Sequence, residues 1–329
     1  MLILAKAILA FMIGFILTII FGLFVIPILK KLKIKQVTSS YVLKHKSKNG
    51  TPTMGGIIFI IPTIISIFIL ILLGKLEFTY NLAIILFVFL AYALLGFIDD
   101  YLIIKRNDNN GLTEFQKLLG QILIAIVFFI LFMKGGREPV LEIYTFHLHI
   151  NMGWFYGFFI LFMLVASSNA VNITDGLDGL AGGLSAIAFL AFGLIAWASR
   201  GITGSEDIGV FCFILVGALI AFLFYNTYPA KVFMGDTGSL ALGSTLAAVA
   251  IISSHELTLI VVAGVFVVET LVCIIQNISV RITGKRVFLM TPLHHHFEKL
   301  GWAEQDIVKT FWVVGLILAA VAILWGVWI

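Results

Sequence analysis

The chain has 329 residues, of which 61% are hydrophobic and only 12% charged, and its mean hydropathy is +1.13. A water-soluble domain is nearer about 45–50% apolar and about 25% charged. Ordinary cytosolic, disordered and collagen-like classes are therefore excluded, and lipid must solvate much of the surface. The formal net charge of +4 is too small to imply nucleic acid.

A membrane helix needs about 20 mostly apolar residues. Runs of that kind lie roughly at 3–29, 56–73, 81–98, 116–133, 153–171, 180–199, 208–225, 238–253, 257–279 and 308–328. The expected fold class is therefore an all-α polytopic membrane protein of about ten transmembrane helices. The eighth run is the shortest. The first carries Lys6 and then stays apolar with no small-residue cleavage site, so a retained helix is expected rather than a signal peptide. No repeat or low-complexity segment interrupts the pattern, and residues 1–329 read as a single integral membrane domain. Cys212 and Cys273 fall inside apolar runs and read as packing residues.

Basic residues set the orientation. Of the 21 lysines and arginines, sixteen fall in or beside the odd-numbered connections and five elsewhere. The odd-numbered loops are thus expected in the cytoplasm and both termini outside. The main outer connection, near 134–152, alternates in part over Val140–Ile150 and predicts a small extracytoplasmic hairpin near 137–151. His147 and His149 would share one strand face there, more simply as solvated residues than as metal ligands.

The unusual polar residues gather in the odd-numbered loops. The first holds Lys44 to Gly56, with Lys46, Lys48 and Thr53. The second opens on Asp99 and Asp100 and closes on Lys117. The third runs from Asn169 to Gly183 through Asn172, Asp175 and Asp178. The fourth runs from Asn226 to Ser239 through Phe233 and Asp236. The fifth carries His294, His295 and His296. Five such loops on one face describe one composite site in a polar cleft on the cytoplasmic side. A single carboxylate there reads as a helix cap. Five from three loops call for a cation, and one or two carboxylates with substrate phosphates is the usual Mg2+ arrangement. Gly55-Gly56 and Gly182-Gly183 open apolar runs, where they suit either anion binding by helix N-termini or close helix packing. Consecutive histidines suit phosphate binding or acid–base work better than a zinc site. Glu269 stands near the middle of the ninth run with Gln276 seven residues on, so both face a protein interior rather than lipid.

Four motifs carry a resemblance: Gly50-Thr-Pro-Thr-Met-Gly-Gly56, Asn172-Ile-Thr-Asp-Gly-Leu-Asp-Gly179, Val232-Phe-Met-Gly-Asp-Thr-Gly-Ser239 and Pro292-Leu-His-His-His-Phe-Glu298. Together they resemble the polyprenyl-phosphate N-acetylhexosamine-1-phosphate transferases. The triple histidine and the first motif point to the muramoyl-pentapeptide branch. The resemblance implies transfer of phospho-N-acetylmuramoyl-pentapeptide from UDP-N-acetylmuramoyl-pentapeptide to undecaprenyl phosphate, giving lipid I and UMP in peptidoglycan synthesis. It implies Mg2+ as cofactor, a homodimer, and a place in the bacterial cytoplasmic membrane. By match to the family motifs, Asp236 is the metal-binding aspartate. Asp99 and Asp100 are the paired catalytic aspartates, with Asp175, Asp178, Lys117 and His294 to His296 in the same catalytic set. Lys48, Thr53, Asn172, Asn226, Phe233 and Gln276 fall in the substrate-binding region, with Phe233 stacking on uracil. Ile103 stands where many relatives carry a lysine, which leaves Lys105 as a weak substitute.

Two alternatives stay open at this point. A sister transferase that moves N-acetylglucosamine-1-phosphate would share the aspartates but not the histidine pattern. A transporter would place ionisable groups at the midplane in repeated halves, whereas here only Glu269 lies mid-span.

Overall fold

Backbone polar groups have no water to bond with in lipid, so a spanning segment must satisfy them internally as a helix. A computed structural model describes residues 3–31, 50–106, 111–143, 148–198 and 204–328. Lys44, Lys46, Lys48 and His147 lie outside the described residues. The helices are α1 (Ile3–Lys31), α2 (Ile57–Leu72), α3 (Tyr80–Arg106), α4 (Glu114–Lys134), α5 (Phe155–Thr174), α6 (Leu180–Ala198), α7 (Ser205–Asn226), α8 (Gly235–Ile252), α9 (Glu256–Val262), α10 (Gly264–Thr283), α11 (Leu293–Lys299) and α12 (Glu304–Trp328).

Among the described residues, nine helices are long and apolar enough to cross a membrane. The second expected span, 56–73, is α2, which is apolar but only 16 residues long. The ninth expected span is interrupted. It breaks at Ala263 into α9 and α10, which share that residue as C-cap and N-cap. An apolar run records hydropathy, not backbone continuity, so the break was invisible in it.

The bundle is organised around α7 and α8, which are almost wholly buried. Helices α1 and α6 pack on α7, and α3 and α5 pack on α8. Close approach depends on small residues. A Cβ on Gly96 of α3 would collide with the Asp236 carbonyl, and one on Gly243 of α8 with the Ser167 carbonyl of α5. Because α8 faces protein on all sides, it tolerates Ser239, Ser244 and Thr245, each fully buried or nearly so. This is why the eighth run looked weakest from hydropathy.

At the opposite end of the bundle from the polar loops, β1 (Val140–Ile143) and β2 (Leu148–Asn151) form the expected antiparallel hairpin, with Glu142 opposite His149. His149 Nδ1 lies 3.8 Å from Glu142 Oε1. Beneath the hairpin a polar cavity of about 300 Å3 is lined by Arg137, Glu138, Glu142, His149, Tyr156 and Ser254. Behind it the Tyr156 hydroxyl donates to the buried Glu256 carboxylate at the start of α9.

Candidate active site

Asp99 and Asp100 end the apolar part of α3 and are both buried, yet they face different partners. Successive helix residues point about 100° apart. Asp99 faces α4, where its Oδ1 accepts the Leu112 amide at 2.6 Å and its Oδ2 lies 3.3 Å from Lys117 Nζ. Thr113 caps α4 in a reciprocal box with Gln116, which fixes the first turn carrying Lys117. The same ammonium donates to Asp236 Oδ2. Asp236 Oδ1 accepts from Asn172 Nδ2 at 2.7 Å, and that amide also reaches Ser239 Oγ at 2.9 Å. Asp99, Lys117, Asp236 and Asn172 thus form one connected cluster contributed by α3, α4, α8 and α5.

Asp100 faces α8 instead. Its carboxylate accepts the amides of Asp236 at 3.2 Å and Thr237 at 3.0 Å, and the Thr237 hydroxyl at 2.6 Å. It serves as an N-cap supplied by another helix, meeting the first free amides of α8 with a negative charge. Gly235 makes the approach feasible. It adopts φ +73°, and a Cβ there would crowd Asp100 and Thr53.

The first motif braces this corner. Phe233 N donates to Pro52 O, Gly55 N to Phe233 O and Gly56 N to Met234 O, each at 2.8 Å. The two glycine amides are therefore spent on backbone, and Gly56 packs against Gly238. Gly183 likewise packs on the Trp312 ring. Packing accounts for both positions. Thr53 is buried beside Gly235, and Phe233 is half-buried within the brace.

Asp175 follows α5 as its C-cap. Asp178 belongs to a different network from Asp236: its Oδ2 accepts the Ala230 amide at 2.9 Å, and its own amide donates to Glu304 Oε1 at 2.8 Å. It ties the third loop to the fourth and to the start of α12. Asn226 is buried and donates to the Val232 carbonyl at 3.0 Å, leaving its Oδ1 without a partner.

The fifth loop folds over α10. Gln276 accepts the amides of Val287 and Phe288 and donates to the Phe288 carbonyl, each at 3.0 Å. It positions that loop with its whole amide. Glu269 accepts the Leu293 amide at 2.6 Å and the His294 amide at 3.2 Å, and lies 3.1 Å from His294 Nδ1. Both residues are fully buried. Burial pushes the His294 imidazole below its ordinary range, against the pull of Glu269. His295 contacts Glu298 at 2.6 Å, and His296 Nδ1 accepts the Leu289 amide at 3.2 Å. The three histidines therefore have three different partners. Lys105 is exposed at the end of α3.

Residues 48–60 match the signature described as phospho-N-acetylmuramoyl-pentapeptide-transferase signature 1, and residues 82–254 match glycosyl transferase family 4. A phospho-N-acetylmuramoyl-pentapeptide-transferase from Geobacillus sp. (strain WCH70) is 47% identical over 326 residues, covering 98% of each chain. The chain belongs to the phospho-N-acetylmuramoyl-pentapeptide-transferase family. Members from Oceanobacillus iheyensis and Bacillus subtilis (strain 168) are 46% and 44% identical, covering 94% and 96% of this chain and 95% and 96% of their own.

The family's signature segment contains Lys48 and Thr53, and the larger match takes in every cluster residue from Asp99 to Asp236. Reading for this family by motif missed four groups: Leu112 N, Thr237, Ser239 and Glu304. Thr237 and Ser239 lie inside the Val232–Ser239 motif. Glu304, in the first turn of α12, carried no signal. Among the described residues no three His, Cys, Asp or Glu side chains converge as a cation cage. Mg2+ needs only one or two carboxylates beside substrate phosphates. Asp99 and Asp236, sharing one ammonium between them and offering oxygen alone, fit that requirement.

Proposed function

We propose that the protein transfers phospho-N-acetylmuramoyl-pentapeptide from UDP-N-acetylmuramoyl-pentapeptide to undecaprenyl phosphate. The carrying observation is the Asp99–Lys117–Asp236–Asn172 cluster at one end of a membrane bundle in a chain of this family. An oxygen of the acceptor phosphate attacks the sugar-bearing phosphorus of the donor. The bond from that phosphorus to the bridging oxygen breaks, and UMP leaves with that oxygen. Both reactants are anions, so catalysis consists mainly of charge neutralisation and alignment.

Lys117 supplies fixed positive charge where the phosphates meet. Asp99 orients the acceptor phosphate, taking up its last proton where one remains. Mg2+, held by Asp236 with Asp99 nearby, would neutralise charge developing on the diphosphate. Asn172 fixes the Asp236 carboxylate by its 2.7 Å bond. Phe233 offers a ring for uracil, and the histidine loop borders the diphosphate.

The donor is water-soluble and the acceptor phosphate lies at the membrane surface, so a site at a helix-bundle mouth suits both. The basic-residue bias supports a cytoplasmic mouth and outer termini in a bacterial cytoplasmic membrane. The expected assembly is a homodimer. The test is UMP release by purified protein given the muramoyl-pentapeptide donor, with and without undecaprenyl phosphate and Mg2+. Release that needs all components supports the reading. Equal release from UDP-N-acetylglucosamine would redirect it to the sister reaction.

A further inference from the structure

Glu269 is a fully buried carboxylate in the second turn of the apolar helix α10, a costly placement that wants a reason. Its Oε2 accepts the Leu293 amide at 2.6 Å, and its Oε1 accepts the His294 amide at 3.2 Å. Oε1 also lies 3.1 Å from His294 Nδ1. An ionised carboxylate only accepts hydrogen bonds. Nδ1 must therefore carry the ring proton, and Nε2 is the bare nitrogen. That Nε2 is buried without a partner. It presses on Gly176, one residue after Asp175, where a Cβ would collide with it. A buried acceptor left unpaired costs about 1–3 kcal/mol and calls for an explanation. The titratable groups facing the ring include Glu269 on α10 and His295 and Glu298 on α11. Burial is the largest influence and lowers the imidazole below its ordinary range, against the pull of Glu269 and Glu298.

We propose that Glu269 is a positioning residue for the transfer: it sets the His294 tautomer and holds the bare Nε2 against the Asp175–Asp178 loop. The proposal rests on the reaction reading above. Glu269 touches no reacting atom. It acts through His294, whose bare nitrogen packs on Gly176 and so sets the position of the loop that carries Asp175 and Asp178.

Glu269→Gln isolates this role. Glutamine keeps the shape and one oxygen acceptor for the α11 amides. Its NH2 group, placed toward Nδ1, would donate and drive the proton to Nε2. The experiment uses full-length purified protein. Nitrogen NMR of histidine-labelled protein, with His294→Asn to assign the signal, reads the tautomer. UMP release reads kcat and donor KM for Glu269→Gln, His294→Asn and the double variant, with Tm checked for each.

The expected wild-type signal is Nδ1-protonated, switching in Glu269→Gln. Orienting partners of a histidine typically contribute about 10–100-fold in activity, so kcat should fall by that range while donor KM stays within about threefold. The double variant should be no slower than His294→Asn, because coupled residues are not additive. An Nε2-protonated wild-type ring, an unchanged kcat in folded Glu269→Gln, or losses that multiply would overturn the proposal. Should Glu269→Gln not fold, Glu269→Asp is read by the same criteria, since a shortened carboxylate withdraws from Nδ1. Failure of the wild type to release UMP counts against the reaction reading. The tautomer result then still decides whether Glu269 sets the ring.

Discussion

The carboxylate of Asp100 in α3 accepts both the amide and the hydroxyl of Thr237 in α8, at 3.0 Å and 2.6 Å. Its neighbour Asp99 points instead to Lys117. The adjacent aspartates thus divide the work: one builds the frame of the site and the other faces its charge cluster.

Asp100→Ala should therefore act on stability. It uncaps α8 and strands buried donors, each effect costing about 1–2 kcal/mol. Thermal unfolding in detergent should show a clear drop in Tm. Thr237→Val removes one hydroxyl and should show a smaller drop. Equal Tm values for Asp100→Ala and wild type would refute the capping role.

Lys117→Met should stop turnover. Removing one preorganised donor from such a site commonly lowers kcat by about 100- to 1000-fold. The substitution also leaves Asp99 and Asp236 facing each other without a cation, so Tm should fall with it. Lys117→Arg should rescue poorly, because a planar fork cannot replace a compact ammonium shared by two carboxylates. UMP release and Tm, measured on the same preparations, check both parts.

Asp236→Asn should abolish turnover at ordinary Mg2+. An amide presents a donor toward Lys117 and weakens any hold on a cation. Titrating Mg2+ against UMP release is the check. Near-normal activity in a folded Asp236→Asn protein would remove Asp236 from the metal role.

Phe233→Ala should weaken the nucleotide donor alone. Stacking of a base on an aromatic contributes about 1–3 kcal/mol, which is roughly ten- to a hundredfold in donor KM. Apparent affinity for undecaprenyl phosphate should stay nearly constant. Steady-state kinetics that vary each substrate in turn will show it, and equal losses for both would make Phe233 a packing residue of the brace at 52–56.

Glu256 should make stability fall with rising pH. Burial raises its carboxyl from 4.5 to about 7. In the unfolded chain it ionises near its ordinary value, so its contribution is full below about 4.5 and is lost as pH rises through about 7. Between pH 5 and 7 the wild-type Tm should decline more steeply than that of Glu256→Gln, which retains an acceptor for Tyr156. Parallel slopes would mean that Glu256 does not titrate in this window.

The ten apolar runs and the hairpin were legible because lipid selects hydropathy and strands select alternation, and both are local signals. The cluster residues Asp99, Lys117, Asn172 and Asp236 were legible as polar residues at the ends of apolar runs, set in recognisable motifs. The division between Asp99 and Asp100 was not. It depends on which helix lies over each face, and adjacent aspartates carry no mark of that. Glu269 stood out at once, but its partners are mostly backbone amides of α11, which look alike at every residue. Asn226 and Gln276 were expected at the nucleotide, whereas their visible bonds go to nearby backbone. Lys48 is legible only as part of the signature segment.

Asp178 accepts the Ala230 amide while its own amide reaches Glu304 at the start of α12. Those three residues leave the ribosome in the order 178, 230, 304. A nascent chain with α1 to α10 in place already contains Asp99, Lys117, Asn172 and Asp236, but it lacks the second of the two carboxylates that fasten the third loop. Assembly of the site is thereby tied to the insertion of α12. Until Glu304 arrives, only the first of these two bonds, Asp178 to Ala230, holds the third loop.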